Sequence, residues 1–319
     1  MIKKRELLKK GFVTGFLKGW QGFLWLLKIM VPISFLTALL VWTGWIYQID
    51  TLIRPVMGLL YLPPVAAFPL LIGMFSGIYG AIAAMVVLPL TEEQMTLIAI
   101  FLLSAHCLIQ ESVIQGKSGL HPLKAVIFRL LSATMTVIIV AQFLDTSLTE
   151  PAAQGSFVHR SEPFLEMLQA WFMTTFKLTI EIFFIIMFVL ILLEIFRVLD
   201  WIRPIVRISK PFLKILGLNE KVGTLWIIAA IFGLGLGAAA IVEEVKEGNL
   251  SKRDLEGLHL SIGINHSLIE DPALFLPLGL SPFWLWVPRL IMAMVAVRLL
   301  TLWQSVVVKH SKKRLRGLP

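Results

Sequence analysis

Charged side chains are scarce in this chain of 319 residues, making up 15% of it, whereas hydrophobic residues make up 57%. Soluble domains carry about 25% charged and roughly 45 to 50% apolar residues. The single cysteine, Cys107, excludes an intrachain disulfide framework. The chain also lacks the GxxxxGKS or GxxxxGKT phosphate loop, the HExxH pair and the GxSxG elbow. We therefore predict a membrane protein that is not an enzyme.

The most prominent feature of the sequence is a set of long apolar runs. They cover Phe23 to Tyr47, Leu123 to Leu144, Trp171 to Leu199 and Phe283 to Leu302. A helix needs about 20 apolar residues to cross a hydrocarbon core of about 30 Å, and a soluble core does not require runs of that length. The sequence predicts an all-α polytopic membrane protein whose first span is not cleaved.

The formal charge of +9 is concentrated in three places: the N-terminus, the segment Arg203 to Lys221, and the tail Lys309 to Arg316. The first 20 residues mix basic and apolar side chains at helical spacing, which predicts an interfacial helix. Because no basic face interleaved with aromatics is present, we expect the lipid bilayer and its anionic headgroups as partners, and no nucleic acid.

An internal repeat emerges when the sequence is compared with itself at a spacing of 160 residues. Glycine, histidine, proline and arginine match in one register, which apolar sequence alone would not produce. The matched residues in the first half are Gly73, Gly77, His106, Pro122 and Arg129, and those in the second are Gly233, Gly237, His266, Pro282 and Arg289.

Charge distribution decides between two topologies for these repeats. Eight spans would place the basic segment Arg203 to Lys221 outside, against the positive-inside bias. If the glycine-rich stretches Pro64 to Leu88 and Val222 to Val245 are re-entrant helical hairpins, each half has three transmembrane helices and the two repeats are inverted. The alternative is that these glycines only allow close helix packing.

The inverted model divides the chain into five parts. They are a basic interfacial N-terminal helix (1–20), repeat 1 (21–145), an extracytoplasmic connector (146–165), repeat 2 (166–305) and a basic cytoplasmic tail (306–319). Both termini are then cytoplasmic, and the multi-pass protein lies in the cell (inner) membrane. A homo-oligomer is compatible with this arrangement but not required, since stacked repeats can bury a site within one chain.

Ionisable groups in membrane helices are costly, so each needs a partner or a function. His106 is followed by Gln110 and Glu111, and His266, preceded by Asn265, is followed by Glu270 and Asp271. Imidazole and carboxylate together suit a borderline divalent cation or a proton relay. They equally suit hydrogen bonding to a polar organic solute. Structurally, the acids could pair with Arg129 and Arg289, and the histidines could cap helix ends.

These motifs resemble the gate, or nucleoside-recognition, domain. The resemblance rests on two glycine-rich segments, each followed by a helix ending in His-Cys-Leu-Ile-Gln-Glu-Ser or His-Ser-Leu-Ile-Glu-Asp-Pro, and extends from about Trp20 to Leu302. Related proteins include spore-maturation proteins, the membrane part of B-type ferrous-iron transporters and concentrative nucleoside transporters. The resemblance implies inverted repeats with hairpins and broken helices around a central solute site.

We therefore predict a transporter or permease for a small ionic or polar solute, with a divalent cation favoured over a nucleoside-type solute. No cofactor is expected, and the metal would be the cargo. A scaffold that recruits a partner without transport is the alternative. The expected metal ligands are His106, Glu111, His266 and Asp271, and the wider set of solute contacts adds Gln110, Asn265, Glu270, Gly73, Gly77, Gly233 and Gly237. The hairpin tips, predicted at Gly77 and Gly237, would approach the solute with backbone dipoles.

Overall fold

The computed structural model describes residues 2–145, 163–248 and 250–315, in which the regular structure is helical and no strand occurs. The predicted connector falls almost entirely outside these residues. The helices are α1 (Ile2–Trp42), α2 (Asp50–Leu59), α3 (Ala67–Ser76), α4 (Ile78–Met85), α5 (Glu92–Ala105), α6 (Leu108–Lys117), α7 (Pro122–Ala141), α8 (Phe164–Val198), α9 (Ile202–Leu216), α10 (Gly223–Lys246), α11 (Lys252–Asn265), α12 (Glu270–Ala273) and α13 (Pro282–Leu315).

The same order of elements occurs twice. A long helix (α1, α8) precedes a short one (α2, α9), then a glycine-rich helical segment (α3 with α4, and α10), a broken helix (α5 with α6, and α11 with α12) and a last helix (α7, α13). The broken helices begin alike: the side chain of Thr91 accepts a hydrogen bond from the Gln94 amide, and that of Ser251 from the Asp254 amide. These N-caps satisfy donors that the first turn leaves free.

Both glycine-rich segments are helical hairpins. The backbone leaves the helix at Gly77 (φ 99°, ψ 175°) and Gly233 (φ 83°, ψ 174°), a conformation that is essentially restricted to glycine. A Cβ on Gly73 would lie 3.1 Å from the Ala81 Cβ. In a straight helix, residues eight apart are separated by roughly 12 Å. The chain therefore turns back at both glycines, and we name the hairpins hairpin 1 (α3 and α4) and hairpin 2 (the two arms of α10).

The prediction that Gly237 forms the second hairpin tip was wrong. Gly77 corresponds to Gly233, a spacing of 233 − 77 = 156 rather than 160. Backbone bonds confirm this register, because Gly73 O accepts from Cys107 N at 3.0 Å and Ala229 O accepts from Ser267 N at 3.1 Å. Gly237 instead lies where the two arms of hairpin 2 are in contact, because a Cβ on Gly237 would be too close to Ala229. The second half therefore has four more residues between hairpin and histidine helix.

The basic first 20 residues do not form a separate helix. They are the first half of α1, whose 41 residues extend about 60 Å, twice the thickness of a hydrocarbon core. This helix packs antiparallel on α8: Gly15 lies against Ile191 near one end, and the Trp42 and Phe164 rings are 5.5 Å apart at the other. The bond from Lys18 to Glu194, at 2.6 Å, joins the basic half of α1 to α8. The basic N-terminal half of α1 is therefore held by packing against α8.

The basic segment between the repeats also contains a helix. Helix α9 occupies most of the basic segment Arg203 to Lys221, and its C-cap is Gly217, where φ is 82°. Ile208 is 77% exposed on this helix, while Leu213 and Leu216 are buried. Lys210 pairs with Glu220 at 2.9 Å beyond its end. A surface helix with an exposed isoleucine beside basic residues suits the membrane interface.

Six helical segments of the described residues are long and apolar enough to cross a membrane, which establishes an all-α polytopic membrane protein. They are 4–42, 92–117, 122–141, 164–198, 220–246 and 282–306. The segment 220–246 turns back at Gly233 and is a hairpin. Helix α11 is too short and polar to be among them, so the described part of the second half has two such segments besides its hairpin rather than the three transmembrane helices predicted. Helix α11 is buried from Gly257 to Asn265, so protein rather than lipid surrounds it.

Hairpin geometry predicts opposite effects for two neighbouring glycines. Gly233→Ala should lower the free energy of unfolding by about 1 to 3 kcal/mol, because alanine cannot adopt the backbone at the turn without strain. Gly235→Ala should be neutral or stabilising by up to about 1 kcal/mol, since Gly235 is helical and a Cβ there meets no atom within 4 Å. Thermal midpoints of the two purified variants check this. Equal destabilisation would contradict the assigned turn.

Candidate functional site

The centre of the molecule is formed by the two helix breaks. Helix α5 ends at Ala105 and α11 at Asn265, and the next residues, His106 and His266, have extended backbone. Cys107 and Ser267 then adopt left-handed conformations, with φ of 42° and 49°. Unwound backbone at this depth is tolerated where protein or a cavity surrounds it. Both histidines are therefore presented from helix ends rather than from helix surfaces.

Each imidazole is fixed by a carbonyl of its own helix. His106 Nδ1 lies 2.8 Å from Leu102 O, and His266 Nδ1 lies 3.0 Å from Ile262 O. Because a carbonyl only accepts, Nδ1 carries the hydrogen in both rings. The Nε2 atom of a neutral ring then presents a lone pair, as in metal-binding histidines whose other nitrogen donates to a carbonyl.

The two Nε2 atoms face each other at 3.4 Å, one from each half of the chain. Glu111 Oε1 lies 3.2 Å from the first and 3.3 Å from the second. Asp271 Oδ2 lies 3.5 Å from His106 Nε2 and 4.0 Å from His266 Nε2. We name these four side chains the central cluster. The structure thus brings together all four residues that were predicted as metal ligands.

These separations suit a small cation better than direct hydrogen bonds. Charge-assisted hydrogen bonds measure about 2.7 to 2.9 Å, shorter than any imidazole–carboxylate distance in the central cluster. Zn²⁺ binds nitrogen and oxygen ligands at about 2.0 to 2.2 Å, so two ligands on one tetrahedral edge are roughly 3.4 Å apart. His106, His266 and Asp271 each offer a ligand atom, all within 4.8 Å of one another. The donor set and spacing therefore fit a borderline divalent metal.

Two buried arginines complete the helix breaks. Arg129 donates to Ser104 O and His106 O, both at 2.8 Å, and Arg289 donates to Ile264 O at 2.8 Å and His266 O at 3.2 Å. Carbonyls at a helix C-terminus lack intrahelical partners and carry partial negative charge. Each arginine therefore stabilises the end of a broken helix.

The predicted ion pairs of these arginines are half correct. Arg129 pairs with Glu111 Oε2 at 2.5 Å, but Arg289 makes no ion pair with Asp271 within 4.0 Å in the described part of the chain. Asp271 Oδ1 instead accepts from the Ser267 hydroxyl at 2.9 Å. Cys107, at the position equivalent to Ser267, provides no such hydroxyl, and Glu111 pairs with Arg129 instead. The halves thus hold their carboxylates by different contacts.

The other predicted solute contacts lie around the central cluster rather than in it. Gln110 is exposed, and Glu270 accepts a hydrogen bond from the Tyr79 hydroxyl at 3.2 Å. Asn265 is fully buried, and neither end of its carboxamide has a partner among the described residues. Gly73 contributes its carbonyl to Cys107, and Gly77 lies at the hairpin turn close to the Cys107 thiol.

Sequence reasoning missed Tyr79 and the contacts of His259. Tyr79 interrupts a run of small residues in hairpin 1, and Gly235 occupies its place in hairpin 2, so comparison of the halves in the correct register would have singled it out. His259 lies on α11, which precedes His266, and its Nε2 binds Ser118 O at 2.9 Å, while its own carbonyl accepts from Gln115 at 2.9 Å. These bonds join the two halves outside the central cluster.

Comparison with known proteins adds a membrane relative. It is described as the uncharacterized membrane protein YvoD of Bacillus subtilis (strain 168). The two are 28% identical over 298 residues, which cover 92% of this chain and 94% of YvoD. No family model and no solved structure matches the sequence. The relative supports a membrane protein.

Proposed function

We propose that this protein is a membrane permease that moves a divalent transition-metal cation through the central cluster. The observation that carries the proposal is the pair of Nε2 atoms 3.4 Å apart, each held by a carbonyl on its Nδ1 so that its lone pair points at the other. Two neutral imidazoles in that orientation repel unless a proton or a metal cation lies between them. A metal ion supplies that charge and uses Glu111 and Asp271 as further ligands.

The proposal that the two repeats are inverted draws support from their first helices, and such an arrangement suits transport. The first long helices of the halves, α1 and α8, run antiparallel along their length. Each half contributes one histidine and one carboxylate to the central cluster, so the site lies at the junction of the halves. Transporters with inverted repeats bind their cargo at such a junction, between broken helices. The positive-inside bias would then place both termini and α9 in the cytoplasm.

The size of the site favours an ion over a nucleoside. The distances from the imidazole Nε2 atoms to the carboxylate oxygens are 3.2 to 4.0 Å, which leaves space for one coordinated atom. A base or a ribose would require the two histidines to separate. The charge also allows a cation, because Arg129 and Arg289 are engaged with the carbonyl ends of α5 and α11.

A static scaffold is the second candidate, and one observation favours it. If both imidazoles were protonated, Glu111 and Asp271 would balance them without a metal, and the side chains are no more than 14% exposed. Buried networks of this kind can hold helices together when every member has a partner. Metal binding separates the two candidates.

The first test is the thermal stability of the purified protein with Zn²⁺, Mn²⁺, Mg²⁺, Ca²⁺ and a set of nucleosides. A ligand that binds only the folded state stabilises it by about 2.7 kcal/mol at one hundred times its dissociation constant. We expect Zn²⁺ to raise the thermal midpoint and Mg²⁺ to leave it unchanged, since Mg²⁺ requires octahedral oxygen ligands. Uptake of the stabilising ion by proteoliposomes then tests transport. A shift with nucleosides alone would contradict the proposal.

A further inference from the structure

The two halves differ beside the central cluster, on the second arms of the hairpins. Tyr79 of hairpin 1 donates a hydrogen bond to Glu270 of the second half at 3.2 Å. Tyr79 corresponds to Gly235 in hairpin 2, because the hairpins are 156 residues apart. Glu270 corresponds to Gln110 in the first half, because the histidine segments are 160 residues apart. Gly235 offers no side chain, and Gln110 carries a neutral amide in place of the Glu270 carboxylate.

The second arm of hairpin 1 is closely packed. Trp25 of α1 meets the Tyr79 ring edge to face at 6.0 Å, and Gly80 lies against Ile33 of the same helix. Every residue from Gly80 to Met85 is buried. Glu270, one residue from the cluster ligand Asp271, is half-buried under this arm. Tyr79 and Glu270 therefore join hairpin 1 to the second half directly beside the site.

The side of hairpin 2 is open. Gly235 is exposed, a Cβ there would meet no atom within 4 Å, and Leu236 is 55% exposed. Gln110, one residue from the cluster ligand Glu111, is exposed as well. An amide in contact with hydrocarbon costs several kcal/mol without a hydrogen-bond partner. The exposed Gln110 amide is therefore favoured in contact with water.

We propose that the central cluster is sealed on the hairpin 1 side by Tyr79 and Glu270, and reached from water on the hairpin 2 side past Gly235 and Gln110. This inference rests on the proposed function, because it describes the route of the cation. The structure is then a state open to one side of the membrane. Breaking the Tyr79–Glu270 bond opens the second route, which alternating access requires.

Accessibility of single cysteines tests the two routes. The background is Cys107→Ser, which the structure supports because Ser267 occupies the equivalent left-handed position. Reporters are Gly235→Cys and Gln110→Cys on the open side. Ile269→Cys is the reporter on the closed side, because Ile269 precedes Glu270 and is half-buried, whereas its equivalent Ile109 is 61% exposed beside Gln110. This change leaves Tyr79 and Glu270 in place. A small charged thiol reagent is applied to right-side-out and to inside-out vesicles.

We expect Gly235→Cys and Gln110→Cys to react from one and the same side, and Ile269→Cys to react slowly from both sides. Adding Tyr79→Phe, which keeps the ring and removes the hydroxyl, should raise the rate at Ile269→Cys about tenfold from the opposite side, the effect of losing one hydrogen bond. Rapid reaction of Ile269→Cys in the presence of Tyr79, or no reaction of Gly235→Cys, would overturn the inference.

Zn²⁺ binding by the same variants separates this inference from the proposed function. Zn²⁺ binding with equal reactivity of the three reporters would refute the two unequal routes and leave the metal site. One-sided reactivity without binding of Zn²⁺ or Mn²⁺ would support the routes and refute a metal as the cargo.

Discussion

His266→Ala should weaken Zn²⁺ binding to the purified protein by more than about a hundredfold. Loss of an outer-shell partner costs roughly 10- to 100-fold in metal affinity, and His266 Nε2 is itself a proposed ligand, 3.4 Å from the other imidazole nitrogen. His106→Ala should have a similar effect, because the two rings are held alike. Competition with a chromophoric chelator measures the affinity of each variant.

The matched control is His121→Ala. This histidine is exposed at the start of α7, where its Nδ1 accepts from the Leu123 amide, and it lies outside the central cluster. Its loss should leave Zn²⁺ affinity unchanged. If the parent protein binds Zn²⁺ and His266→Ala binds it equally well, the metal lies elsewhere. If the parent does not bind and both cluster variants are strongly destabilised, the scaffold explains the histidines.

The sequence was sufficient to predict the duplication and the four cluster residues. Histidine followed five positions later by an acid occurs in both halves, and helical breaks bring both copies to one point. The hairpins were predicted from glycine content, but the tip of the second was misplaced by four residues. Gly233 and Gly237 are both glycines, and only the φ of 83° at Gly233 distinguishes a turn from a close approach.

The contacts of the arginines could not be predicted in the same way. Arg129 and Arg289 occupy equivalent positions, and a carboxylate was the obvious partner for each. Their principal acceptors are backbone carbonyls, which no side-chain pattern reveals.

The continuity of α1 was not predicted either, because it depends on packing against another helix. Basic residues normally indicate the end of a span, but packing on a second long helix, with Lys18 bonded to Glu194, extends α1 beyond the bilayer.

Arg129→Met should destabilise the protein by about 3 to 5 kcal/mol, the cost of leaving a buried charge without its partner. Arg129 is 1% exposed and contacts both the Glu111 carboxylate and two carbonyls. Arg289→Met should cost less, about 1 to 3 kcal/mol, since Arg289 bonds only carbonyls and leaves no carboxylate alone. Thermal midpoints in detergent rank the two variants. The two arginines occupy equivalent positions in the repeat, but only Arg129 pairs with a carboxylate.

A double-mutant cycle isolates the ion pair from the helix cap. Glu111→Gln removes the buried negative charge, so Arg129→Met combined with Glu111→Gln should recover part of the loss, with a coupling of about 0.5 to 3 kcal/mol. Equal costs for the two arginines and no coupling would show that both act only on carbonyls.

The metal proposal adds a further requirement. In Arg129→Met, Glu111 keeps its place beside both Nε2 atoms but lacks its cation. Zn²⁺ bound at the central cluster would supply that charge, so Zn²⁺ should raise the thermal midpoint of Arg129→Met more than that of the parent protein.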